Sequence, residues 1–253
     1  LLGHNAISLN AILANRNLEE YSVKPESIRE LIRKNSENLE ELYINSRIPI
    51  TFFFSNQPIY PKLHSLWGSV SRITELPVIE SVLPNINSLV ISDLKETKFN
   101  YSFKMNKNLM NLEISDSDTL VQVNIENNNF KSIIFRNIPL LRHIYLNMYH
   151  LETLELHDLP EKSFFHFTNI PGLKEIKITN CKSSFLKEAH KLKMLETLSI
   201  SECELKDKHI IQLFEYTNKI KKLEINNCIP EDSQFSIENL LKSSKIGSLR
   251  QLK

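Results

Sequence analysis

The chain has 253 residues, 41% of them apolar and 24% charged, and its 31 basic and 30 acidic side chains leave a formal charge of +1. Neither sign forms a long run, which argues against bulk attraction to nucleic acid or an anionic membrane, and no stretch approaches the roughly 20 apolar residues that span a bilayer. The three cysteines, none in a CxxC pair, argue against a disulfide framework, so a reducing compartment, cytoplasmic or nuclear, is expected.

The opening LLGHNAISLNAILANRN has a short apolar pattern but neither a basic flank nor a small-residue cleavage site, and does not read as a signal peptide. A weak frame, LEEYSV, begins at Leu18. PESIRELIRKN from Pro25 predicts a helix, because Ile28, Leu31 and Ile32 share one side and proline stands where the first turn needs no donor. Residues 1–38 are therefore expected to form degenerate coils or a cap, and residues 39–253 a regular array.

From Leu39 one frame recurs: LEELYI at Leu39, LHSLWG at Leu63, INSLVI at Ile86, LMNLEI at Leu109, FKSIIF at Phe130, LETLEL at Leu151, LKEIKI at Leu173, LETLSI at Leu195 and IKKLEI at Ile220. The intervals are 24, 23, 23, 21, 21, 22, 22 and 25 residues. Extra frames lie halfway between, LVQVNI from Leu120 and LRHIYL from Leu141, and a half-period of 10 or 11 residues leaves no room for a helix on the return. Coils from about Leu109 to Leu159 are thus expected to carry strands on both sides. Further on, SSFLKEAHKL, DKHIIQLFEYTN and FSIENLLKSS read as amphipathic helical returns, the second with Asp207 as N-cap and Ile210, Leu213 and Phe214 as its buried side. Leu249 begins an unfinished frame; with a leucine at position 1, this suggests an excerpt from a longer protein.

Cys181, Cys203 and Cys228 each stand ninth in a frame, in LKEIKITNC, LETLSISEC and IKKLEINNC. These strings match the LxxLxLxxN/C signature of leucine-rich repeats, whose period agrees with the intervals above. The expected fold is one elongated α/β domain over residues 1–253. About ten coils would form a curved leucine-rich-repeat solenoid with parallel strands on its concave face and mixed helices and short strands on its convex face. In that frame the thiols become small core groups at a turn. Adjacent rungs, about 4.8 Å apart, leave a disulfide between Cys181 and Cys203 geometrically open. The stretch LETLSISECELKDKHIIQLFEYTNKIKKLEINNC, residues 195–228, resembles the cysteine-containing repeats of F-box substrate receptors of ubiquitin ligases, although only three of the coils carry the cysteine. That resemblance implies a ubiquitin-ligase adaptor; a secreted or cell-surface recognition protein is the alternative, for which Asn100-Tyr101-Ser102 is the one glycosylation sequon.

Side chains alternate along a strand, so the first, fourth and sixth frame positions point inward and the fifth points out. The fifth positions read Tyr43, Trp67, Val90, Glu113, Ile134, Glu155, Lys177, Ser199 and Glu224. Large aromatics supply rigid contact area, so Tyr43 and Trp67 are expected to anchor a protein partner. Val90, Glu113, Ile134, Glu155, His157 and Lys177 would complete the face. Two alternatives stay open: the N-terminal helix folding over the aromatics, or Gly68 turning Trp67 inward. The eighth positions, Asp93, Asp116, Asn137, Asp158, Asn180, Glu202 and Asn227, form a polar column that reads as a solvated rim or a seat for a basic segment. No GxSxG, HExxH, GxxxxGK[ST] or GxGxxG string is present. The chain is therefore expected to be a monomeric, non-enzymatic scaffold with no cofactor or metal and no nucleic-acid or membrane partner.

Overall fold

Strand pleating converts the repeated frame into two walls, and the computed structural model shows both over residues 8–12, 24–46, 48–103, 106–126, 129–160, 163–181, 191–205, 217, 219–230 and 249–252. The front wall is an eleven-stranded parallel sheet. Its rungs in spatial order are β1 (Ser8–Ile12), β2 (Glu41–Asn45), β3 (Ser65–Ser69), β4 (Ser88–Ser92), β6 (Asn111–Ser115), β8 (Ser132–Arg136), β10 (Thr153–His157), β12 (Glu175–Thr179), β13 (Thr197–Ser201), β15 (Lys222–Asn226) and β17 (Gln251–Leu252). From β2 to β15 the rungs pair frame position to frame position, so each outward position becomes a straight column. β1 takes the place beside β2, with Ser8 opposite Glu41. The LEEYSV frame at Leu18 and most of the three C-terminal helical returns lie outside the described residues.

The rear wall changes along the chain. Behind the first coils stand three helices, α1 (Pro25–Lys34), α2 (Ile50–Phe54) and α3 (Leu76–Val82). α1 is the helix expected from its spacing, with Ile28 and Ile32 buried and Leu31 packed partly against the core. Behind the middle coils a four-stranded parallel sheet replaces them, in the order β11 (Phe164–Asn169), β9 (His143–Asn147), β7 (Gln122–Glu126) and β5 (Lys98–Asn100). The half-period frames at Leu120 and Leu141 supply β7 and β9, as expected. β5 and β11 extend the sheet one rung further on each side than the frames announced. A two-residue pair, β14 (Glu204–Leu205) with β16 (Ile229–Pro230), marks the rear of the last coils.

Between the walls lies one continuous stack of buried Leu, Ile, Val and Phe, including Leu112, Ile133, Phe135, Leu154 and Ile176, all at 1% exposure or less. Fully burying such a side chain contributes about 1.5–3 kcal/mol. One rung breaks the rule: Gly68 sits where the sixth position needs an apolar side chain. A Cβ there would come within 2.2 Å of Ile50 Cδ1, so the buried Ile50 of α2 fills the space instead. Gly68 accommodates the helix behind it and does not turn Trp67 inward.

The eighth-position column also has a backbone cause. Asp93, Asp116, Asn137, Asp158, Asn180, Glu202 and Asn227 all have φ between 50° and 60°. That left-handed turn ends the strand, and Asn and Asp tolerate it better than other residues with a side chain. The turned N–H groups of Asp93, Asp116, Asn137, Asp158, Asn180 and Glu202 each donate to the seventh residue's carbonyl in the next coil, at 2.9–3.2 Å. Asn137 and Asn180 add side-chain bonds to Asp116 and Asp158, both at 2.8 Å. The column is first a stitched corner of the solenoid.

Candidate functional site

On the front sheet Tyr43 lies opposite Trp67, and Trp67 opposite Val90. The Tyr43 and Trp67 rings stack with centroids 4.0 Å apart and planes 10° from parallel. Tyr43 is 39% exposed and Trp67 half-buried, so the pair is a rigid, part-solvated aromatic step. No described residue of α1 covers it, because α1 packs behind the sheet against α2.

Down the same column the register runs Val90, Glu113, Ile134, Glu155, Lys177. The charges are tied to one another. Arg136 Nε donates to Glu113 Oε1 at 3.2 Å. Lys177 Nζ donates to Glu155 Oε1 at 2.8 Å and lies 3.7 Å from Glu175, while His157 Nε2 is 3.3 Å from Glu155 Oε2. Burial alone would raise the Glu155 carboxyl, but the hydrogen bonds from Lys177 and His157 outweigh it and hold the group below its ordinary value. The bond to Glu155 raises Lys177 in turn. His157 and its neighbour Asp158 make no pair: His157 faces Glu155, whereas Asp158 turns into the corner and accepts from Asn180. The expected residues thus fall into an aromatic group (Tyr43, Trp67, Val90) and a charge-paired group (Glu113, Glu155, His157, Lys177), joined by Ile134.

The rear sheet presents a cluster that the sequence reading missed. His143 lies opposite Phe164, and Tyr145 opposite His166, on β9 and β11. Tyr145 and His166 stack at 4.4 Å and 10°, and His143 stacks on Phe164 at 5.8 Å and 20°. Phe164 is 47% exposed, while His143 Nδ1 and His166 Nε2 are buried without a hydrogen-bond partner among the described residues. The outward fifth position of LRHIYL, Tyr145, was the available signal.

At the stitched corner of the last coils, Leu159, Cys181, Cys203, Glu204 and Ile229 line a cleft of about 510 Å³, away from the aromatic step. Cys181 Sγ accepts the Leu159 N–H at 3.5 Å, and Cys203 Sγ accepts the Cys181 N–H at 3.4 Å. The ninth-position thiols therefore satisfy backbone donors that the turn leaves free. Among the described residues no group of three or more His, Cys, Asp or Glu side chains is placed to hold a metal ion, and no helix is long and apolar enough to cross a membrane.

No family model and no curated protein matches the chain. Among solved structures, an internalin from Listeria monocytogenes is similar at 13% sequence identity, over 98% of this chain and 86% of that one, with a TM-score of 0.31. The leucine-rich-repeat character of the chain rests on its own repeat, its in-register parallel rungs and its stitched turns.

Proposed function

We propose that the chain is a non-enzymatic protein-recognition scaffold that binds its partner on the front sheet, with Tyr43 and Trp67 as the anchor. One observation carries this reading: the stacked, part-solvated aromatic pair at 4.0 Å stands at outward positions where the repeat requires nothing apolar. Large aromatics held rigid lose little conformational freedom on binding, which is why such residues dominate interface energetics. Val90 extends the apolar contact, and Ile134 with the paired Glu113, Glu155, His157 and Lys177 sets register further along. Because those charges are already neutralised among themselves, they contribute specificity more than affinity. The test is affinity for a captured protein: Tyr43→Ala and Trp67→Ala should each weaken binding by about tenfold or more with the fold intact. Unchanged affinity in both would remove the anchor.

The finer reading is the substrate-receptor part of an F-box-type ubiquitin ligase, in the cytoplasm or nucleus. Its support is the ladder of free thiols at Cys181, Cys203 and Cys228, each in the frame position of the cysteine-containing repeat. Co-purification with ubiquitin-ligase scaffold subunits from cells is the check, and a glycan on the exposed Asn100 would favour a secreted recognition protein instead.

A further inference from the structure

Cys203 and Cys228 stand opposite each other in adjacent coils, fixed from both sides. Before them Ser201 pairs with Asn226 in β13 and β15; after them Glu204 pairs with Ile229 in β14 and β16. The Ile229 N–H donates to the Cys203 carbonyl at 3.0 Å, closing the same register across the turn. Opposed residues of neighbouring strands lie about 4.8 Å apart, inside the roughly 4.4–6.8 Å Cα separation that a disulfide spans. Both thiols are free, and each perturbs the other's proton affinity.

The two sulfurs are unlike, which divides the roles. Cys203 is 2% exposed, whereas Cys228 is half-buried. The neighbouring Cys203 thiol favours the Cys228 thiolate and holds that group below its ordinary value. Cys228 beside it, with burial, raises Cys203. All three thiols donate to the carbonyl two residues back, Cys181 to Thr179 at 3.2 Å, Cys203 to Ser201 at 3.0 Å and Cys228 to Asn226 at 3.4 Å, and Cys181 faces Cys203 in the same register. Cys181 differs from Cys228 in being buried, which pushes it up to about 11. Cys228 is itself part-open to solvent, which gives a small neutral oxidant its route to that sulfur, while the cleft lined by Cys181, Cys203, Glu204 and Ile229 lies on the Cys203 side of the pair.

We propose that Cys203 and Cys228 form a modification site, a thiol pair that a peroxide oxidises to a disulfide linking two successive coils. The Cys228 thiolate attacks one peroxide oxygen, the O–O bond breaks, and the departing hydroxide takes up a proton to leave as water, giving a sulfenic acid on Cys228. The Cys203 sulfur then attacks that sulfur, the S–O bond breaks, and a second water leaves with the Cys203 proton. Two thiols lose two hydrogens, and one peroxide becomes two waters. The bond lies at the stitched corner and leaves the front-sheet residues untouched.

The test treats the full chain with hydrogen peroxide, alkylates the remaining thiols and maps unreduced peptides by mass spectrometry. The expected result is one crosslink joining Cys203 to Cys228, reversed by a thiol reductant, with Cys181 still alkylated. Cys228→Ser should abolish the crosslink and leave Cys203 a thiol; Cys203→Ser should let Cys228 run on to the sulfinic acid. Accumulation of sulfinic acid on Cys228 of the unaltered chain, a crosslink through Cys181, or an unoxidised Cys228 would each overturn the proposal. A second measurement needs no substitution: in the native chain Cys228 should take iodoacetamide about tenfold faster than Cys203 or Cys181. Equal rates would likewise overturn it.

Discussion

In β2–β4 the central outward position holds Tyr43, Trp67 and Val90, and α1–α3 close the rear. In β8–β12 that position holds Ile134, Glu155 and Lys177, and β9 and β11 close the rear. Gly68 apart, the inward positions of the two regions are nevertheless alike: buried Leu, Ile and Phe at the same frame numbers. The repeat therefore fixes the stack, while outward and return residues vary with little effect on it. That freedom allows one end of the sheet to be aromatic and the other charge-paired.

The widest gap should separate neighbours on one strand. Phe135→Ala or Leu154→Ala removes a fully buried side chain and should cost about 3–5 kcal/mol in urea unfolding, whereas Ile134→Ala, adjacent but outward, should stay within about 0.5 kcal/mol. Equal losses would mean that the outward column is structural. Next comes the exception at the aromatic end. Gly68→Ala drives a Cβ into Ile50 and should cost about 1–3 kcal/mol, and Ile50→Val, which removes the nearest clashing atom, should recover part of that loss in the double variant. Smaller again is the corner shared by both regions. Asn137→Ala should lose about 1 kcal/mol and Asn137→Gly much less, while Glu202→Asn should gain a few tenths, roughly, because the left-handed turn favours these residues.

The smallest effect belongs to the charged end. Glu155 is depressed in the folded chain, so the unfolded chain binds its proton more readily. The pair's stabilisation is complete above the ordinary carboxylate value and is lost as pH falls through the lowered one. Lys177 is raised, so its share is lost only as pH rises through the raised amine value. For a partly exposed pair the whole contribution should be below about 1 kcal/mol. An NMR titration should show the Glu155 midpoint move upward in Lys177→Met; an unmoved midpoint would deny the pairing.

Most of the front sheet was legible because its signal is periodic: three inward positions per frame, apolar in every case but Gly68, place β2, β3, β4, β6, β8, β10, β12, β13 and β15 from the sequence. β5 and β11 were not, since Glu96 and Lys162 stand where their frames would begin with an apolar residue, leaving Phe99, Phe165 and Phe167 as the only marks. α2 and α3, five and seven residues long, are too short to show a helical period. The polar eighth column was visible as composition, but its cause is a backbone angle. For the site, frame position put Tyr43 and Trp67 side by side and outward, yet it gave no hint of the ring stacking or of Ile50 explaining Gly68.

The central claim is that recognition runs on the front sheet, and photo-crosslinking from the two walls tests it most directly. A photoreactive side chain would be placed at Val90 on the front and, separately, at Asn124 on the rear, and adducts with the partner protein compared. The account predicts adducts from Val90 and none from Asn124, with the Val90 adduct lost in the Tyr43→Ala, Trp67→Ala double variant at an unchanged melting temperature. Adducts from Asn124, or a Val90 adduct that survives loss of both aromatics, would contradict it.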